Sequence, residues 1–199
     1  MAVIRPHDLL WGMTPAHLAS DAPAWVACAL ADGQPVVVRR GRGGPGLVAV
    51  GVRGVSRDQR HAGCMPLAAV SRQVSPEQLS HSIGLRDWPA LQALYRLRDR
   101  LDDFGLVWGV SGGAGFELAS GFAALHAGSD LDLIMRTPEP LSRDAARRLL
   151  GMLEPAVDLQ LQAPAGAVAL REWAGPSRKV LLKAADGARL VDDPWGVAA

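Results

Sequence analysis

The chain has 199 residues, 49% of them hydrophobic, and 21 Lys plus Arg stand against 20 Asp plus Glu for a formal net charge of +1. That supplies core material for one large or two small globular domains, and a balanced charge without interleaved basic and aromatic residues argues against nucleic acid as a partner. No apolar run is long enough to span a membrane, and Arg5, His7 and Asp8 stand where a signal peptide would turn apolar, so a cytoplasmic protein with no membrane partner is expected. Cys28 and Cys64 lie among apolar neighbours and are expected as buried free thiols. The five histidines are scattered without the spacing of zinc ligands.

In chain order, apolar runs at 35–38 and 47–52, separated by the glycine-rich stretch 41–46, predict a pair of strands. Arg39, Arg40 and Arg42 follow the first run, and Arg53, Arg57 and Arg60 the second. Residues 1–80 hold eight Arg, no Lys and five acids, net +3, whereas 81–199 hold thirteen Lys plus Arg and fifteen acids, net −2. Arginine suits forked contacts with phosphates and carboxylates, although solubilising charge accounts for these residues equally well. A domain boundary is expected near 76–87, giving domains 1–80 and 81–199. A short helical segment begins at Ser75-Pro76-Glu77, residues 84–87 read as a linker, and a helix is predicted over 88–104. Its Leu94, Leu97, Leu101 and Phe104 recur at helical spacing, which marks them as core.

The most informative stretch follows. Trp108 leads into the glycine turn Gly109-Val110-Ser111-Gly112-Gly113, and Ser129-Asp130-Leu131-Asp132-Leu133 comes after it. On a strand, Asp130 and Asp132 share one face while Leu131 and Leu133 share the other. Two neighbouring carboxylates repel each other unless a cation lies between them, and hard oxygen ligands suit Mg²⁺ bound together with phosphates. A side-chain-free turn opening a helix lets backbone N–H groups approach a phosphate. Taken singly, an Asp-x-Asp or a Gly-Gly pair is common in exposed turns; their combination predicts phosphoryl or nucleotidyl transfer.

Residues 141–153 have helical apolar recurrence with Ser142 as N-cap, and 157–161 alternate as a half-buried strand with Asp158 and Gln160 on the polar face. If the Asp130/Asp132 and Asp158 strands are neighbours, the three carboxylates form a cup for two metal ions. The only lysines, Lys179 and Lys183, share one strand face. Lys183, and less strongly Lys179, is a candidate to hold a triphosphate, and a solvated edge lysine is the plain alternative.

The order Gly-Gly, Ser-Asp-Leu-Asp-Leu and a distant strand Asp resembles nucleotidyltransferases of the DNA-polymerase-beta type. More narrowly, segment 108–121 followed by Ser129-Asp130-Leu131-Asp132-Leu133 is similar to the phosphoribosyl-dephospho-CoA transferases, the holo-acyl-carrier-protein synthases of malonate decarboxylase. The likeness includes Arg5-Pro6-His7-Asp8-Leu9-Leu10-Trp11, Gly51-Val52-Arg53-Gly54, Ala167-Val168-Ala169-Leu170-Arg171-Glu172-Trp173 and Asp192-Asp193-Pro194-Trp195. It implies an α/β (α+β) architecture, with a small, mainly β N-terminal domain followed by a nucleotidyltransferase-like domain with a mixed sheet.

The implied reaction moves the phosphoribosyl-dephospho-CoA group from triphosphoribosyl-dephospho-CoA to a serine of the apo acyl carrier subunit of malonate decarboxylase, releasing diphosphate. Asp130, Asp132 and Asp158 are the implied catalytic and metal-binding residues for two Mg²⁺ ions, with Mn²⁺ as an alternative. Gly112, Gly113, Ser129 and Lys183 are the candidates for substrate binding. Gly113 departs from the wider superfamily, which often has Ser there to reach a phosphate oxygen. An acidic carrier would find Arg53, Arg57 and Arg60 in one short segment. Transfer of AMP to another acceptor, and a non-catalytic carrier-binding role, remain as alternatives.

Overall fold

The computed structural model describes residues 3–56 and 58–196, so Arg57 lies outside the described residues. Strands β1 (Leu9–Trp11), β2 (Val36–Val38), β3 (Leu47–Arg53), β4 (Arg60–Pro66) and β5 (Arg72–Val74) form an antiparallel sheet in the order β4-β3-β2-β1-β5. Helix α1 (Ala24–Ala31) contributes to the core of this sheet, where Val26, Ala29 and Leu30 join Val36, Val38, Val50 and Val52. Strand alternation then decides where the arginines go. Arg39 and Arg53 have the opposite parity to these valines, and both line a cleft on the other face of the sheet together with Val37 and Gly51.

The second sheet comprises β6 (Trp108–Val110), β7 (Leu131–Arg136), β8 (Val157–Ala163), β9 (Gly166–Ala169), β10 (Val180–Ala184) and β11 (Gly187–Val191). Their spatial order is β11-β10-β9-β8-β7-β6, and the sheet is mixed because β7 and β8 run parallel while their neighbours are antiparallel. A parallel pair needs a crossover, which α4 (Arg143–Met152) supplies with Ser142 Oγ accepting a hydrogen bond from the Ala145 N–H at 3.2 Å. Helix α2 (Pro89–Asp103) buries Leu91, Leu94, Leu97 and Leu101 in the same core as Ala146 and Leu149 of α4 and Leu133 and Leu159 of the sheet. The proline at its first turn and Gly105 beyond its end, at φ 78°, match the usual start and stop of a helix.

The stretch between the sheets is not a loose tether. Arg98 of α2 donates to the carbonyls of Ser80 and Ser82, the Tyr95 hydroxyl accepts from the Gly84 N–H at 2.9 Å, and Arg86 pairs with Glu117 at 2.9 Å. Just before it, the turn Pro76–Leu79 lies on β6, and Leu79 belongs to the second core. The expectation of buried thiols is corrected: Cys28 and Cys64 are both exposed. Cys28 is turned away from the buried face of α1, and Cys64 alternates with buried Met65 on the edge strand β4. Apolar neighbours in sequence do not set burial when the element has an outer face. Among the described residues no helix is long and apolar enough to cross a membrane.

The contact between Pro76–Leu79 and β6 depends on Gly109, because a Cβ there would lie 2.2 Å from the Pro76 carbonyl carbon and 2.4 Å from the Glu77 nitrogen. Gly109→Ala is therefore expected to lower stability by about 1–3 kcal/mol, read as a drop in the urea midpoint at unchanged slope. An unchanged midpoint would mean that the turn does not rest on this strand.

Candidate active site

The two sheets face each other across a cleft of about 960 Å³. Register places its chemistry. Val110 of β6 pairs with Leu133, and Asp132 of β7 pairs with Asp158 of β8, so the start of α3 (Gly112–Ser120) and both carboxylates come to the same end of the sheet. Asp130, Asp132, Asp158, Gly112, Gly113 and Ser129 all line the cleft, which brings together six of the seven side chains or backbone sites expected from the sequence. Lys183 is the seventh. It is exposed on β10, three strands from β7 and outside the cleft lining.

The approach of α3 to Asp132 is close. A Cβ on Gly112 would lie 1.9 Å from Asp132 Oδ2, and Gly112 has φ 60°, so both space and backbone conformation require glycine here. Ser111 fixes the same junction, its N–H donating to the Asp132 carbonyl at 2.9 Å. Ser111 makes no side-chain cap bond to α3, and Gly112 and Gly113 at the start of this helix line the cleft that holds the carboxylates.

Asp158 is placed differently. Its Oδ1 is 3.4 Å from Arg171 Nε, and Arg171 Nη2 donates to the carbonyls of Pro155 at 2.8 Å and Val157 at 3.1 Å. The three carboxylates share one cleft, yet among the described residues no three His, Cys, Asp or Glu side chains form a ready-made metal cluster. The donor set still fits a hard cation: Asp130 and Asp132 offer carboxylate oxygens, and Mg²⁺ characteristically takes one or two protein carboxylates and completes its shell with water and phosphate oxygens. Ser129 closes a turn, its Oγ accepting from the His126 N–H at 3.0 Å.

Two residues escaped the sequence reading in these roles. Arg53 reaches across from β3, donates from Nη2 to the Ala124 carbonyl at 2.7 Å and lies over the Phe116 ring at 5.7 Å. Burial and Arg60 push its pKa down, while Asp132 and Glu117 pull it back up. Its Nη1 is 3.4 Å from where a Cβ on Gly113 would stand, so a guanidinium fills the space beside this glycine. Arg60 also lines the cleft, its Nη1 donating to the Gln59 carbonyl at 2.9 Å.

Glu117, the second of these residues, is 5% exposed. Its Oε2 accepts from the N–H groups of Ala124 and Leu125 at 2.8 and 3.0 Å, and its Oε1 accepts from Arg86 and Trp88. Burial alone would raise its pKa, but these hydrogen bonds outweigh burial and hold the carboxyl below its usual range. The parity of Arg53 against Val50 and Val52 was a usable signal for its direction. Glu117 carried none, since its partners lie in a loop of irregular backbone.

Residues 78–194 match the family described as Phosphoribosyl-dephospho-CoA transferase MdcG C-terminal domain, and residues 5–76 match the one described as Phosphoribosyl-dephospho-CoA transferase MdcG N-terminal domain. The chain is 65% identical over 193 residues to a phosphoribosyl-dephospho-CoA transferase of Pseudomonas fluorescens, covering 96% of this chain and 93% of that protein. It is 57% identical over 199 residues to a transferase of the same name from Pseudomonas aeruginosa, covering 98% and 95%. One from Azotobacter vinelandii is 54% identical over 200 residues, covering 96% and 94%. No solved structure matches the chain significantly.

Because the folded carboxyl of Glu117 is held below its ordinary 4.5, its contribution is complete above that pH and is lost as pH falls through the lower folded value. Glu117→Gln should cost about 1–3 kcal/mol near neutral pH, and its deficit against the unaltered chain should shrink as denaturation is repeated at pH below 4.5. A deficit that stays constant with pH would remove the charge from this account.

Proposed function

Since the chain belongs to the phosphoribosyl-dephospho-CoA transferase family, we propose that it transfers the phosphoribosyl-dephospho-CoA group to a serine of the apo acyl carrier subunit of malonate decarboxylase by nucleotidyltransferase chemistry. The serine Oγ bonds to the phosphorus nearest the ribose, the bond from that phosphorus to the bridging oxygen of the outer two phosphates breaks, and diphosphate leaves. The serine proton is released, and the product is a phosphodiester.

The observation that carries this reading is the meeting of Asp130, Asp132, the start of α3 and Arg53 in one cleft. A triphosphate needs positive partners around its oxygens. The α3 N–H groups and the Arg53 guanidinium provide them from opposite sheets. Asp130 and Asp132 would hold Mg²⁺, which when bound neutralises charge on the triphosphate. Asp158, turned toward Arg171, is assigned to the side of the incoming hydroxyl. The position of Arg53 supports a role on the phosphates in place of carrier docking, which leaves the exposed rim around Arg60 for the acidic carrier.

Diphosphate release from triphosphoribosyl-dephospho-CoA and purified apo carrier, with ATP as the competing donor, tests the reaction. Asp130→Asn and Asp132→Asn should each cut the rate on the order of 10²–10³-fold with unchanged urea midpoints. Near-normal release by either folded variant, or a preference for ATP in the unaltered chain, would end the proposal.

Arg53 separates the two roles open to the cleft arginines. Loss of one charge-assisted phosphate contact is worth about 1.5–3 kcal/mol, so Arg53→Met should raise KM for the precursor at least tenfold while KM for the carrier moves little. The reverse pattern would return Arg53 to the carrier surface.

A further inference from the structure

A second cleft, of about 1020 Å³, opens at the far end of β7. Arg136 on its wall is four residues beyond Asp132, roughly 13 Å at a strand rise of about 3.3 Å per residue, and Arg39 lines both clefts. Arg5, Arg39, Arg40 and Arg136 face the second cleft, and among the described residues no acidic side chain lines it. Glu77 satisfies Arg136 Nε at 2.6 Å, but Arg136 Nη2 and Gln162 Nε2 are buried donors without a partner. Gln162 is only 8% exposed, and its Oε1 is already taken by Arg40. A buried donor left unpaired is costly, so such groups in a cleft wall point to an acceptor brought by a ligand.

The local charge supports an anion. Burial and neighbouring Arg136 push the Arg40 pKa down to about 10. His7, beside Arg40, adds no further positive charge, because burial, Arg40 and Arg136 lower its pKa to about 4 and keep the ring neutral. Two half-buried guanidiniums therefore press on each other, with Glu77 and the buried Asp8 as the acids near Arg136, and a phosphate group would relieve that repulsion. The remaining wall is apolar, with Leu47, Leu67, Pro138 and Pro164, and suits an extended chain of low charge.

We propose that this second cleft seats the diphosphate and the pantetheine arm of the dephospho-CoA portion of the precursor, while the triphosphate occupies the first. The diphosphate takes the arginines and the two unpaired donors, and the arm lies along the apolar wall. The identity of the ligand rests on the proposed function, whereas the existence of an anion site beside an apolar wall does not.

The probe is 3′-dephospho-CoA, which carries the diphosphate and arm but lacks the triphosphoribosyl group. It should bind the full chain in a calorimetric titration. Gln162→Glu, which keeps the side-chain volume but sets a carboxylate among the arginines, should weaken binding at least tenfold, and Arg5→Ala, at an exposed position where folding is not at risk, about threefold. With the complete precursor, the Gln162→Glu loss should fall mainly on KM.

Inorganic diphosphate should compete far more weakly than 3′-dephospho-CoA; equal competition would overturn the assignment of the arm and leave a simple anion site. Failure of the unaltered chain to bind 3′-dephospho-CoA, or equal binding by the unaltered chain and both variants, would overturn the cleft assignment even if diphosphate release from the precursor were normal. Conversely, Gln162-dependent binding without turnover of the precursor would uphold this cleft and remove the proposed reaction.

Discussion

The carboxylate of Asp132 occupies the space in which a side chain at residue 112 would have to begin. Much else in the first cleft follows from that contact. Bringing the backbone of α3 against the carboxylate requires β6 to end where it does, with Val110 opposite Leu133, so that the chain turns at Ser111 and starts a helix beside the face that carries Asp132. The next strand over is fixed in turn by the parallel register, which sets Asp158 level with Asp132. A one-residue slip in either pairing would send these side chains into the apolar core behind the sheet.

Charge is divided between the two sheets. The N-terminal sheet presents Arg39 and Arg53 to the cleft, and the C-terminal sheet presents Asp130, Asp132 and Asp158. Such a division attracts the sheets to each other and also prepares the gap for a ligand that has both phosphates and a cation with it. Farther along β7 the balance reverses, since Arg136 belongs to the C-terminal sheet and faces Arg40 across the seam, with Glu77 and Gln162 as the nearby partners. On the C-terminal sheet, β7 itself is thus acidic at one end and basic at the other, with Ile134 buried between them.

The parts that were legible in the sequence are those whose cause is local. Leucines at helical spacing identified α2, Ser142 marked the start of α4, and the alternation around Asp158 identified β8. The pairing of Asp158 with Asp132 was conditional on strand order, and that order was correct. What stayed hidden depends on contacts distant in sequence. The position of Arg53 is set by how one sheet faces the other, 71 residues separating it from Ala124. The salt bridge from Asp158 to Arg171 requires β9 to fold back on β8 before α5 (Leu170–Ala174) begins. The second cleft draws its arginines from residues 5, 39, 40 and 136, a grouping that no motif spacing could reveal.

The loop at 121–128 forms part of the wall of the cleft that holds Asp130, Asp132 and Asp158, and it is held from both sides. Glu117 accepts the N–H groups of Ala124 and Leu125 from below, and Arg53 donates to the Ala124 carbonyl from the opposite sheet. Fixing a residue's backbone costs on the order of 1–2 kcal/mol in conformational entropy. Here that ordering is completed when the protein folds, so a ligand entering the cleft meets a wall already in shape. More of its interaction energy is then left to orient the bound group.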